Sequence, residues 1–125
     1  MSISYLIDEN LSPLYREQLI YHKPELTVWR IGDPGTLSRS TLDPEILIWC
    51  EEHNFILVTD NRRSMPHHLG EHLRAGHHIS GIFVFNKTKM SIGQVIEELI
   101  LIAETALPDE FKDKLIHLPI SYNLK

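Results

Sequence analysis

Short runs of β-branched and aromatic residues alternate along this chain with longer stretches whose apolar residues recur at helical spacing, which leaves few folds open. The runs are residues 3–7 (ISYLI), 26–31 (LTVWRI), 55–59 (FILVT) and 81–85 (GIFVF), each bounded by turn formers. A weaker fifth, LIHLPI near the end, contains Pro119, which suits a sheet edge or a strand terminus because proline offers the ladder no N–H. Between them, Leu11, Leu14, Tyr15, Leu19 and His22 share one helical face, and Pro24 closes that segment. In LDPEILIWCEEHN, Asp43 is the expected N-cap and Pro44 the first helical residue. MPHHLGEHLRAG reads as a shorter helix ending near Gly76, and PDEFKDKL as a last short one from Asp109. SIGQVIEELILIAETAL opens on a Ser91/Gln94 capping box and carries an apolar stripe from Ile92 to Ala106. Strands and helices in this order predict parallel strands joined by right-handed crossovers. The expected fold is α/β: one domain, residues 1–125, a three-layer α/β/α sandwich on a mainly parallel four- or five-stranded sheet.

Composition narrows the function. The apolar runs are far shorter than a membrane span, and no basic region or cleavage signal opens the chain. The single Cys50 cannot form an intrachain disulfide and sits in an apolar helical pattern, so a cytoplasmic protein with Cys50 in its core is expected. A net charge of −5 argues against nonspecific coating of nucleic acid. The charge is uneven, however. Residues 60–90 hold Arg62, Arg63, Arg74, Lys87 and Lys89 against Asp60 and Glu71, together with His67, His68, His72, His77 and His78.

The acids fall where such a fold would use them. In an open parallel sheet, ligands bind beyond the C-terminal strand ends, where the strand order reverses. Asp8 follows the first strand and Asp60 the third, so both reach one rim if those strands are neighbours. Glu45 lies in the first turn of the second helix, which starts from that rim. Asp43 competes for the same role, but capping is expected to occupy its carboxylate. The polar connection GDPGTLSRSTL reads as part of the same functional rim. Three carboxylates from separate segments suit Mg²⁺ or Mn²⁺, which take oxygen ligands and can activate water beside a phosphodiester. The bland alternative makes Asp8, Glu9 and Asn10 ordinary turn and cap residues.

LIDENL, LDPEIL and FILVTDNRRSMP together resemble the PIN-like domains of VapC-type toxins, above all small PIN-like proteins paired with a short antitoxin-like partner. The resemblance runs from Ile3 to about Ile102 and implies a magnesium-dependent endoribonuclease, a toxin component acting on RNA. It makes Asp8 the first acid and Glu45 the helix acid. Family members commonly read Thr-x-Asp at the end of the third strand, often with another acid two residues on. Here Thr59 is followed by Asp60, Asn61, Arg62 and Arg63, so Asp60 is one position early, Asn61 stands in the acid's place and Arg63 replaces the further acid. The third metal contact is therefore Asp60 or Asn61. A second function stays open, a catalytically degenerate PIN-like fold that binds or regulates.

HLGEH (68–72) has the H-x-x-E-H form of an inverted zincin, though Gly70 interrupts a short helix and no third ligand is evident. Two other readings compete with it: a solvated helix with Leu69 and Leu73 turned inward, and a phosphate-contacting patch of Arg62, Arg63, His67 and Arg74. The apolar ELILIAETAL stripe is expected to serve the core and also a homodimer or partner interface.

Overall fold

Residues 3–107 and 109–120 are described by the computed structural model. Five strands, β1 (Ser4–Ile7), β2 (Thr27–Arg30), β3 (Ile56–Thr59), β4 (Ile82–Val84) and β5 (Leu115–His117), form one sheet in the order β2-β1-β3-β4-β5. Every pairing is parallel, with Tyr5 opposite Val28 and Ile56, and Thr59 opposite Val84. Four helices, α1 (Pro13–His22), α2 (Asp43–His53), α3 (Met65–Arg74) and α4 (Ile92–Thr105), cover both faces. Side chains alternate across a strand, so the sheet builds two cores. Tyr5, Ile7, Val58, Phe83 and Phe85 pack under α1 and α4; Leu6, Leu57, Ile82 and Val84 pack under α2 and α3. The α/β/α sandwich is thus present with all five strands parallel.

Local signals account for most boundaries. Ser12 Oγ accepts the Leu14 N–H at 3.2 Å to start α1. The Ser91/Gln94 capping box closes as expected, Ser91 Oγ accepting the Gln94 N–H at 3.2 Å and Gln94 Oε1 the Ser91 N–H at 2.8 Å. Cys50 is fully buried, and burial pushes its thiol well above the ordinary range, so it is an inert core residue. No described helix is long and apolar enough to cross a membrane.

Four expectations need correction. The α2 N-cap is Leu42, in extended conformation and without a side-chain bond, so Asp43 is already helical and its carboxylate is not spent on capping. Leu14 is 46% exposed, because the buried α1 residues are Tyr15 and Leu19 and Leu14 lies about 100° round the helix from Tyr15. Residues 109–113 form turns rather than a helix. Asp109 and Asp113 take left-handed φ values of 65° and 60°, while Phe111 drops edge-on against Phe83. Finally, the crossovers do not share one hand. α1 and α4 lie on the same face but carry the chain in opposite directions across the sheet, whereas α2 and α3 lie on the other face and share the hand of α1. With the usual right hand for those three, the β4–α4–β5 connection is left-handed.

One buried hydrogen bond ties α4 to the sheet: the Tyr5 hydroxyl donates to the Leu99 carbonyl at 2.7 Å, and burial pushes the phenol far above its ordinary range. Tyr5→Phe keeps the ring contact with Phe83 and removes this bond, so it should lower stability by about 1 kcal/mol. Urea unfolding should show a lower midpoint at unchanged slope.

Candidate functional site

Because β1 and β3 are neighbours and the chain leaves them in opposite directions, the strand order reverses between their C-terminal ends. The ladder continues one residue past β1, the Asp8 N–H donating to the Val58 carbonyl at 3.0 Å, so the Asp8 backbone is fixed at that point. Thr59, fully buried at the end of β3, donates its hydroxyl to Asp8 Oδ2 at 2.7 Å and accepts the Asn61 N–H at 3.1 Å. The Asn10 N–H approaches Asp8 Oδ1 at 3.4 Å. Burial raises the Asp8 carboxyl above its ordinary range, the Thr59 and Asn10 bonds oppose that shift, and the charges of Asp43 and Asp60 add to it. Asp8, Asp43 and Asp60 therefore form one acid cluster.

Each outer acid has partners. Lys87, just past β4, places Nζ 3.1 Å from Asp60 Oδ2. Asp43 Oδ2 receives the Asn61 side-chain amide at 3.3 Å and lies 3.5 Å from His68 Nε2. Tyr15 of α1 also reaches the rim; burial raises its phenol, with Lys87 opposing and Asp60 adding.

The acid that α2 brings to Asp8 is Asp43, not Glu45. Two residues on is about 200° round the helix, and Glu45 is exposed. Asn61 does not turn an oxygen toward the acids. Its Oδ1 accepts the Ser64 N–H at 3.3 Å, which leaves Nδ2 to donate to Ser64 Oγ at 2.7 Å and to Asp43. Its role here is to hold the turn into α3. Arg62, Arg63 and His67 are exposed beside the cluster. Arg74 is not with them: it ends α3, about 14 Å along the axis from Met65, and pairs with Glu71. Glu9 braces the loop between β2 and α2, accepting the Ser40 N–H at 2.6 Å with Arg39 Nε 3.6 Å away. That loop turns at Gly32, whose φ of 102° would strain any L side chain and whose Cβ would meet Arg39 Cγ at 2.9 Å.

A second constellation lies at the other end of α2. Glu51, His72 and His77 each offer a donor atom, all within 4.8 Å of one another, a set able to hold a metal ion. Among the described residues the rim acids do not close to that spacing. The inverted-zincin pattern does not assemble, because α2 divides its histidines: His68 faces Asp43, His72 faces Glu51, and Glu71 turns to Arg74.

Sequence reasoning passed over Thr59, His68 and Lys87 as parts of the rim. The available signal for Lys87 was its place just beyond the strand next to β3. No protein-family model, curated protein or solved structure matches the chain.

Proposed function

We propose that the chain is a PIN-like, Mg²⁺- or Mn²⁺-dependent endoribonuclease, the toxin component of a pair with a small antitoxin-like protein. The observation that carries this reading is the convergence of Asp8, Asp43 and Asp60 at the β1/β3 switch point, where each acid's charge is unfavourable for Asp8. An all-carboxylate donor set fits a hard cation that keeps its waters, which also tolerates spacing wider than a direct three-point clamp. Asp8, Asp43 and Asp60 would hold the cation, and when bound it supplies an activated water and offsets charge developing on a phosphodiester.

The remaining roles belong to the chain itself. Thr59 orients the Asp8 carboxylate, and Lys87 sets the position of Asp60. Arg62, Arg63 and His67 are available to phosphate along the rim. The toxin pairing rests on the LIDENL, LDPEIL and FILVTDNRRSMP resemblance, a homodimer on the apolar α4 stripe, and a cytoplasmic site of action on the lone, buried Cys50.

A second reading has its own observation. Lys87 on Asp60 and the Asn61 amide on Asp43 already satisfy two of the three acids, as in a degenerate site kept for binding. Incubation with a panel of structured and single-stranded RNAs separates the two. The nuclease reading expects cleavage that requires Mg²⁺ or Mn²⁺ and stops with chelator. RNA binding without cleavage under any of these metals would establish the degenerate reading instead.

A further inference from the structure

We propose that Glu51, His72 and His77 form a second cation site, for Zn²⁺ or a similar borderline metal, at the end of the sheet opposite the acid rim. Glu51 is eight residues after Asp43, about 12 Å along α2, so the two sites are separate. The donors come from three segments: Glu51 from α2, His72 from the last turn of α3, and His77 from the turn that follows. Gly76, at a φ of 88°, reverses the chain there and returns His77 against His72.

Two of the three donor separations are close to those of a metal's own ligands, and all three lie within 4.8 Å. Glu51 Oε1 lies 3.2 Å from His72 Nε2 and 2.9 Å from His77 Nδ1. A tetrahedral Zn²⁺ with bonds of about 2.0–2.1 Å separates its donors by about 3.3 Å. The rings are held in place: they stack at 4.9 Å and 23°, and the His72 side chain is only 3% exposed. Glu51 is oriented through Oε2, which accepts the His78 N–H at 3.2 Å. The turn is pinned in its turn by Asp113, which accepts the Ile79 N–H at 2.9 Å and faces His78 Nδ1 at 2.8 Å.

Two imidazoles with one carboxylate favour Zn²⁺, Ni²⁺ or Co²⁺ over the hard cations of the acid rim. Without metal, Nε2 of His72 carries a proton shared between Glu51 and the His78 carbonyl, 2.8 Å away. Metal binding would take the tautomers in which Nε2 of His72 and Nδ1 of His77 carry no proton, each ring's N–H then lying on its other nitrogen. Glu51 at 31% and His77 at 44% exposure leave the fourth position open to solvent. The site staples α2, α3 and the α3–β4 turn together.

The test uses the full chain, stripped with chelator and dialysed against Zn²⁺. The expected result is about one Zn²⁺ retained per chain, a raised Tm, and the strong visible bands of four-coordinate Co²⁺ when Co²⁺ is substituted. His77→Gln, at a half-exposed turn position that the fold tolerates, should weaken Zn²⁺ binding about 100-fold or more, and Glu51→Gln likewise. Asp8→Asn should leave Zn²⁺ binding unchanged, which keeps this site's outcome independent of the nuclease reading. Substoichiometric Zn²⁺ would overturn the proposal. So would equal retention by wild type and His77→Gln, the sign of adventitious binding to other histidines.

Discussion

Asp8→Asn is expected to lower Mn²⁺-dependent RNA cleavage by on the order of a thousandfold or more while making the metal-free protein more stable. Both effects have one cause. The Asp8 carboxylate is partly buried and sits in the field of Asp43 and Asp60, so its charge is unfavourable in the metal-free protein, and a bound cation would offset it. Asparagine keeps the size and still accepts the Thr59 hydroxyl, but it removes that charge. Stability without metal should rise by about 0.5–1 kcal/mol, in the sense expected when a functional group is traded for stability. The pH dependence has a definite sign. The folded-state pKa of Asp8 lies above its unfolded value, so between the two the folded chain binds more protons. Metal-free wild type should therefore gain stability from this group as pH falls through that window. Asp8→Asn should lack that component, as thermal melts across the acid range will show.

Asn61→Asp should act in opposite senses with and without metal. The Asn61 amide now donates to Asp43 and to Ser64 Oγ at the entrance to α3. Aspartate would lose both donations and set a carboxylate against Asp43 at hydrogen-bond distance. A loss of about 1–3 kcal/mol is expected in chelator. Mn²⁺ should recover most of it, because the added charge then faces a cation. RNA cleavage should be preserved or increased, since the acid commonly found there in the resembling family is restored. Melts in chelator and in Mn²⁺, alongside a cleavage assay, check both halves.

Much of this arrangement was legible in the residues. Alternating apolar runs marked all five strands, and the positions of Asp8 and Asp60 at the ends of the first and third placed both at one rim. The choice of Glu45 over Asp43 failed on a single residue of helix phase. Asp43 has a good capping side chain, but the cap falls one residue earlier, on Leu42, so that Asp43 opens the helix and turns toward the cluster. PDEFKDKL has ordinary helical composition, yet burial of Phe111 against Phe83 and the hold of Asp113 on Ile79 outweigh it. The HLGEH spacing does put His68 and His72 on one helical face. What it cannot carry is the neighbouring helix, which gives each histidine its own acid. The His72–His77 pairing depends on a left-handed glycine, and the hand of the last crossover on which face α4 covers. Neither is a local property of sequence.

If the Asp8 cluster holds a hard divalent cation, the binding is visible without any RNA. Titration of the full chain with Mn²⁺, following free Mn²⁺ by electron paramagnetic resonance, tests it most directly. Wild type should bind Mn²⁺ saturably, Asp8→Asn should lose that binding, and His77→Gln should leave it unchanged. Wild type that leaves all Mn²⁺ free, or Asp8→Asn that binds it as tightly as wild type, would contradict a cation site at Asp8.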